Sequence, residues 1–252
     1  MDIRHLSRLY VEAGLGDEQA VTLNDKPSHY LQHVMRMKTG DALRVFNARD
    51  GEWLAKIAKT GKHTTDIECG KRLREPAAEP DLWLCCAPIK KAHFDYMIEK
   101  ATELGTAVIQ PLLTARTQIR EVNSERCRAM AIEAAEQSER LGIPDIRKPL
   151  SPQALIKDWP NDRTLIICAE WGDAEPIEKT FAALHAKGMT KAAIVTGPEG
   201  GFAAEEMEVL KSVPGSVCVR LGSRILRADT AAIAALACWQ AICGDWKSEA
   251  GG

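Results

Sequence analysis

The chain has 252 residues, of which 45% are hydrophobic and 27% are charged, as is usual for a globular protein. Its formal net charge of −2 does not indicate nucleic-acid binding by itself, although residues 1–74 carry a net charge of +3. No run of eighteen apolar residues is present, and the first eight residues lack the apolar core of a secretion signal, so we expect a cytoplasmic protein without membrane spans.

Residues 1–72 predict a small β-barrel module, because several short apolar stretches are separated by turns. Asp50-Gly51 is typical of a hairpin turn, and Gly40 follows the only helical pattern. The predicted strands are 8–11, 20–23, 42–46 and 53–57, and the helix is 27–37.

The stretch 73–80 holds two prolines and reads as a linker to a second domain, 81–246. Strand and helix patterns alternate there, which predicts a mostly parallel sheet with helices on both faces. The predicted strands are 82–87, 107–112, 164–169, 191–196 and 216–221. The predicted helices are 91–104, 124–141, 176–187, 203–212 and 229–243, and Ser124, Asp229 or Thr230 could cap two of them.

The eight cysteines mostly lie inside apolar runs, and none forms a Cys-x-x-Cys pair. This pattern indicates buried free thiols in a reducing compartment rather than a disulfide framework or a zinc site. His29 and His33 are four residues apart and could bind a metal in principle. No third ligand is evident, so we expect no metal and favour a structural or RNA-facing role for them.

Two loops, 196–202 and 221–231, follow strand patterns and lead into helices, which is where open α/β sheets bind ligands. In the first, Gly197-Pro198-Glu199-Gly200-Gly201 permits close backbone approach to a ligand, and a tight turn without a ligand is the alternative. Neither a phosphate-loop lysine nor a Gly-x-Gly-x-x-Gly pattern is present, which disfavours ATP and dinucleotides.

Charged residues also cluster on the helix 124–141 and in the second loop. Glu133, Glu136, Gln137 and Arg140 share one helix face, for which a solvent-exposed stripe is the favoured interpretation. Arg224 and Arg227 are equally consistent with solvated side chains. The small residues of 231–238 predict a helix that packs closely against another chain segment or a second subunit.

In these motifs the chain resembles the RsmE-type 16S rRNA uridine methyltransferases of the SPOUT, or α/β-knot, class. The resemblance covers essentially the whole chain, and its most specific motifs are the two glycine-containing loops. The matching segments are Thr102-Glu103-Leu104-Gly105, 111–116, 133–140, 196–202 and 221–231, together with 29–36 and Gly40-Asp41.

The resemblance implies a PUA-like RNA-binding β-barrel joined to a SPOUT α/β domain that carries a trefoil knot. It further implies a homodimer that uses S-adenosylmethionine to methylate ring nitrogen 3 of a uridine, a U1498-type site, in 16S rRNA of the small ribosomal subunit. Two positions depart from the family pattern: Asp229 stands where glutamate is usual, and Ala203 stands where serine is frequent.

The resemblance also implies which residues bind the cofactor, whereas the catalytic roles come from chemistry and placement. Arg116, Arg140 and Arg227 are candidates for binding phosphate or stabilising the anion of uracil, and Glu136 or Glu199 could accept its proton. The expected cofactor-binding residues are Ala169, Glu170, Thr196, Gly197, Pro198, Glu199, Gly200, Leu221, Gly222, Ile225 and Leu226, with Trp171 and Gly172 near the same wall.

Two alternatives stay open at this point. One is a SPOUT methyltransferase that acts on another RNA site, such as tRNA or a ribose hydroxyl. The other is an RNA-binding assembly factor without catalysis, which would bind no S-adenosylmethionine.

Overall fold

The computed structural model describes residues 3–169 and 174–246, which form two compact units. The first unit comprises the chain up to Ala78 together with Ala135–Gly142. The second comprises Glu79–Ala134 and the chain from Ile143 onward. The predicted domain boundaries at residues 72 and 81 remain predictions. The first unit also contains Ala135–Gly142, a segment that lies within the predicted second domain.

The first unit is built on a curled, mixed five-stranded sheet with the order β1-β3-β4-β5-β2. Its buried core includes Leu31, Leu43, Val45, Ile57 and Ile67. Strand β1 pairs with β3 in parallel, and the other pairs are antiparallel. The strands are β1 Arg8–Tyr10, β2 Ala20–Asn24, β3 Ala42–Asn47, β4 Gly51–Thr60 and β5 Thr64–Arg74.

Strand β5 is the longest strand of the described chain and is absent from the sequence prediction. Its inward residues Thr65, Ile67 and Cys69 are buried, whereas Glu68 is exposed, so a period of two is present. The strand ends at Arg74, inside the stretch 73–80 that was predicted to be a linker. Its inward face has only one large aliphatic residue, which makes the pattern weak.

The predicted helix at 27–37 begins earlier and changes its geometry along its length. Helix α1 covers Asp25–His29, and a π-helical turn, Tyr30–Val34, continues it. The N-cap residue Asn24 makes no side-chain capping bond, and Ser28 lies inside the helix with its hydroxyl bonded to that of Thr65. Asp50-Gly51 forms part of the β3–β4 turn as predicted, and Gly51 has a φ of +82°.

The core of the second unit lies on both sides of a parallel seven-stranded sheet with the order β10-β12-β9-β11-β6-β7-β8. Ile194 and Ile166 contribute to one face, and Val195 and Ile167 contribute to the other. The strands are β6 Leu82–Cys86, β7 Val108–Pro111, β8 Asp145–Ile146, β9 Thr164–Cys168, β10 Glu175–Pro176, β11 Ala192–Thr196 and β12 Val217–Arg220.

Helices cover both faces of this sheet, as the alternation predicts. Phe94, Phe181 and Trp239 pack on one face, and Leu155 and Leu210 pack on the other. The helices are α2 Lys91–Glu103, α3 Ser124–Gln137, α4 Pro152–Lys157, α5 Ile177–Ala186, α6 Ala204–Lys211 and α7 Ala228–Ile242.

Three short elements of the second unit were not predicted from the sequence. They are strands β8 and β10, of two residues each, and helix α4. Ser151 Oγ accepts a hydrogen bond from the Ala154 N–H and Pro152 follows, which is a recognisable helix start. One predicted cap is wrong, because Asn123 Oδ1, and not Ser124, accepts the Arg126 N–H at the start of α3.

The alanine-rich helix α7 packs against α2 and α5 of its own chain, in agreement with the first of the two predicted alternatives. Trp239 is fully buried, and its ring meets Phe181 edge-on at 5.3 Å between centroids. The predicted knot remains a prediction.

Candidate ligand cavity at the carboxyl ends of three parallel strands

A cavity of about 750 Å³ opens where β9, β11 and β12 end. These three strands are neighbours in the sheet and run parallel, so their carboxyl ends meet at one edge. Cys168 and Ala169 form one wall, and the loops 196–202 and 220–228 form the others. This is the expected position of a ligand site in an open α/β sheet.

The loop after β11 presents its backbone to the cavity because tight local geometry keeps side chains away. Gly201 N–H donates to the Pro198 carbonyl over 2.8 Å, and Gly201 has a φ of +67°. A Cβ at Gly197 would lie 3.1 Å from the ring of Phe202, which is too close for ordinary packing. A flat ligand can therefore approach the main chain of this loop.

Arg116 braces the same loop from the segment after β7. Its guanidinium donates to the Gly200 carbonyl over 2.6 Å. A Cβ at Gly200 would lie 3.3 Å from Arg116 Cδ, so glycine allows the arginine side chain to lie against the loop. One guanidinium nitrogen of Arg116 thus positions the cavity wall.

Glu206 joins two separate segments beneath the cavity. It is 6% exposed, and its two carboxylate oxygens accept the N–H groups of Ala115, over 2.7 Å, and of Ala203, over 2.9 Å. The bond to Ala203 takes over part of the capping at the start of α6, where alanine offers no side-chain acceptor. The carboxylate therefore ties the loop after β7 to the end of the loop after β11.

We expect Glu206→Gln to destabilise the protein by about 1–3 kcal/mol, since an amide cannot accept both backbone N–H groups. Urea unfolding followed by circular dichroism measures this loss. The matched control is Glu205→Gln, because Glu205 is exposed in the same helical turn. Equal unfolding midpoints for the two variants would contradict the role of Glu206.

The loop after β12 is also held open by a glycine. Gly222 has a φ of +100°, a region that side chains rarely adopt. Within the described part of the chain, no backbone group from Ser223 to Leu226 pairs with another backbone group. Ile225 also lines the cavity and is 69% exposed. Apolar side chains and unpaired peptide groups together suit a ligand with a flat ring and polar edges.

Asp229 fastens the start of α7, immediately after this loop. Its Oδ2 lies 2.8 Å from His93 Nδ1 on α2, and its Oδ1 accepts the Thr230 N–H. Burial raises the pKa of Asp229, but the hydrogen bonds from His93 and Thr230 outweigh it, so the pKa lies below its ordinary value. The N-cap position of α7 is Arg227, so the prediction that Asp229 or Thr230 caps this helix is wrong.

Most of the predicted site residues lie around this cavity. Glu136 and Arg140 do not line it and belong to the first unit. Glu170, Trp171 and Gly172 lie outside the described residues. The predicted residues that line the cavity are Arg116, Ala169, Thr196, Gly197, Pro198, Glu199, Gly200, Leu221, Gly222, Ile225, Leu226 and Arg227.

Further lining residues were missed by the sequence prediction, among them Arg220, Met207 and Cys168. Cys168 and Arg220 are the last residues of β9 and β12, so their position was their only signal. Met207 lies inside α6 and gave none. Charge around the cavity is mainly positive, because four arginines face one glutamate. These charged residues are Arg116, Arg220, Arg224, Arg227 and Glu199.

The polar atoms of the cavity fit a cofactor with hydrogen-bonding groups. Thr196 Oγ1 is buried at the cavity wall and has no hydrogen-bond partner. A buried hydroxyl without a partner is costly, and a ligand atom in the cavity would satisfy it. The glycine loops leave room for a ring that side chains would otherwise fill.

Comparison with known proteins agrees with this architecture. A family model described as an RNA methyltransferase domain matches residues 77–240, and a model described as an RNA methyltransferase PUA domain matches residues 23–68. The fold and the cavity therefore define an RNA methyltransferase with a PUA domain. More narrowly, the chain belongs to the family of the ribosomal RNA small subunit methyltransferase E proteins.

The relatives cover nearly the whole chain. The ribosomal RNA small subunit methyltransferase E of Rickettsia conorii is 38% identical over 92% of this chain and 93% of its own length. The protein of the same name from Bacillus subtilis is 30% identical over 82% of this chain and 84% of its own.

The structure of ribosomal RNA small subunit methyltransferase E from Neisseria gonorrhoeae, bound to S-adenosylmethionine, has a TM-score of 0.85. It is 25% identical, with coverage of 96% of this chain and 100% of its own. A Legionella pneumophila protein with bound S-adenosylmethionine has a TM-score of 0.80 at 27% identity, over 94% of this chain and 98% of its own.

Proposed function

We propose that the protein transfers the methyl group of S-adenosylmethionine to ring nitrogen 3 of a uridine, a U1498-type site, in 16S rRNA. The observation that carries the proposal is the cavity between two glycine loops at the ends of adjacent parallel strands. Membership of the ribosomal RNA small subunit methyltransferase E family and the two S-adenosylmethionine-bound structures support it.

The cofactor would be held mainly by the main chain of the two loops. Its sulfonium supplies an electrophilic methyl carbon when it is bound. Thr196 Oγ1 and the peptide groups near Leu226 offer hydrogen bonds to its polar edges, while Ile225 offers apolar contact. The proposed set is Ala169, Glu170, Thr196, Gly197, Pro198, Glu199, Gly200, Leu221, Gly222, Ile225 and Leu226.

The target nitrogen carries a proton at neutral pH, so the enzyme must remove it or stabilise the anion. A positive charge beside the two flanking carbonyl oxygens of uracil lowers the cost of the anion. Arg227 lies exposed at the cavity and is our first candidate for this role, and Glu199 is a candidate for accepting the proton. Arg116, Arg140 and Glu136 remain proposed for anion binding and proton transfer.

Arg227→Ala is expected to lower kcat by roughly 100-fold and to leave the affinity for S-adenosylmethionine within about threefold, because the side chain would act on the uracil anion. Arg116→Ala should lower both quantities, since Arg116 also braces Gly200. Steady-state kinetics and calorimetric titration separate the two effects. Lys179→Ala on α5 is the charge control, and full turnover of the Arg227 variant would contradict the proposal.

The function itself is tested in two steps. Titration of the protein with S-adenosylmethionine should give a binding heat, whereas an RNA-binding assembly factor without catalysis should give none. Methylation of ring nitrogen 3 blocks base pairing, so treated 16S rRNA should show a new reverse-transcription stop at one uridine. A stop in tRNA, or methylation of a ribose hydroxyl, would favour the other methyltransferase alternative.

We also propose a cytoplasmic homodimer that acts on 16S rRNA or the small ribosomal subunit. All eight cysteines are free, which supports a reducing compartment. Among the described residues, no helix is both long and apolar enough to cross a bilayer. Light scattering on the purified protein tests the dimer.

A further inference from the structure

A second cavity, of about 360 Å³, lies in the first unit between α1 and the β4–β5 hairpin tip. We infer that this histidine cleft binds a phosphate of the RNA substrate and binds it more tightly when its histidines are protonated. The inference rests on the proposed function only in taking RNA as the substrate. The cleft is lined by Asp25, Ser28, His29, Gln32, His33, Lys62 and His63.

The cleft is a fixed structure, because one buried hydrogen-bond cluster joins its two sides. Gln32 Nε2 lies 2.9–3.1 Å from four oxygen atoms, which include the carbonyls of Gly61 and Thr64. The others are the hydroxyls of Ser28 and Thr65, which bond each other over 2.8 Å and are buried. The helix and the hairpin tip are therefore held at a set distance from each other.

The net charge of the groups that line the cleft depends on pH. Lys62 and Asp25 offset each other, so the cleft is close to neutral while its three histidines are neutral. Protonation of His29, His33 and His63 gives the cleft a net charge of +3. Histidine is the side chain that gains or loses a proton most readily in the physiological pH range.

The two helix histidines favour an anion between or beside them. Their ring centroids are 4.7 Å apart, so two positive imidazolium rings would repel each other without a counter-charge. A phosphate group would relieve this repulsion and hold the protons on both rings. Phosphate binding and proton uptake are thus linked.

The family comparison favours RNA as the source of the phosphate. The match to an RNA methyltransferase PUA domain covers residues 23–68, a range that contains every residue of the cleft. Among the described residues, no group of three or more His, Cys, Asp or Glu side chains could hold a metal ion.

The test measures binding of a fluorescent 16S rRNA fragment at pH 7.5 and pH 6.0. Wild-type affinity should rise roughly tenfold on acidification, because phosphate binding is linked to proton uptake by the histidines. The variant His29→Gln/His33→Gln/His63→Gln should lose most of this rise. His185→Gln, which changes a histidine of the second unit, should behave as wild type.

A measurement on the unmodified protein keeps the test independent of variant folding. The NMR titration curves of the three imidazole rings should move to higher pH when the RNA fragment is added. Unmoved curves, or an unchanged pH dependence in the triple variant, would overturn the inference. The inference would also be overturned if tripolyphosphate, but not RNA, bound less tightly to the triple variant, because the cleft would then serve free phosphate.

Failure of this inference can be told apart from failure of the proposed function. The triple variant should retain its kcat for methylation when RNA is saturating, with the loss confined to KM for RNA. If wild-type protein methylates no small-subunit rRNA, the proposed function fails while the binding data on the cleft still stand.

Discussion

Gly222→Val is expected to weaken S-adenosylmethionine binding by roughly 100-fold, which corresponds to about 2.7 kcal/mol. The φ of +100° at Gly222 is strained for any residue with a Cβ and more so for a β-branched one. The loop would relax away from this angle and move the peptide groups that line the cavity. Calorimetric titration with S-adenosylmethionine measures the loss directly.

Gly188→Val is the matched control for this prediction. Gly188 follows helix α5 with a φ of +71°, and both glycines have open space where a Cβ would go. The two variants should therefore lose similar stability, about 1–3 kcal/mol, from backbone strain. Only Gly222 lines the cavity, so equal losses of cofactor affinity in both variants would refute the proposed role of the loop.

Glu52→Ala is expected to destabilise the first unit by about 3–5 kcal/mol, the usual cost of leaving a buried charge without its partner. Glu52 is 1% exposed, and its Oε1 accepts a hydrogen bond from Arg8 Nε over 2.7 Å. The guanidinium groups of Arg44 and Arg74 each lie 3.4 Å from the same carboxylate. Three positive charges would lose their shared counter-ion.

The loss should spread to the segment Ala135–Gly142, which Arg8 holds in the first unit. Arg8 also donates to the carbonyls of Ala135, over 2.6 Å, and Arg140, over 2.8 Å. Burial lowers the pKa of Arg8, and the hydrogen bond to Glu52 opposes that effect. Removing the carboxylate thus takes away the bond that orients the Arg8 guanidinium toward the end of α3.

Hydrogen exchange read by mass spectrometry tests this prediction locally. Peptides from β3 to β5 and from Ala135–Gly142 should exchange faster in Glu52→Ala, whereas β9 and β11 should be unchanged. Glu139→Ala is the control, because Glu139 pairs with Arg44 but is 54% exposed, so about 1 kcal/mol or less is expected. Equal protection in the two variants would mean that the Glu52 network contributes little.

Much of the second unit could be predicted because its signals are local. Apolar runs such as 82–86 and 192–196 mark strands that are covered on both faces, and the two glycine loops mark their ends. Strand β5 was missed because charged residues alternate with its few apolar ones. The two-residue strands β8 and β10 are strands only because they pair with β7 and β12, respectively, so no local sequence pattern could predict them.

The candidate site also has parts that the sequence predicts and parts that it does not. The loops 196–202 and 221–231 are visible as glycine-rich turns between a strand and a helix. Glu206 gave no comparable signal, because its role depends on the N–H of Ala115, which is 91 residues away. The sequence indicated only part of the histidine cleft. His29 and His33 are four residues apart and were noticed as a pair, whereas His63 comes from the β4–β5 hairpin tip.

Local periodicity and turn chemistry alone therefore determined most of the succession of strands and helices and the position of the two glycine loops. The tertiary structure decided which loops face one another and which charged residues meet. The contact between His93 and Asp229, 136 residues apart, is an example. Such contacts follow from the strand order and from packing of the whole core, and pairing across that distance leaves no periodic trace in the chain.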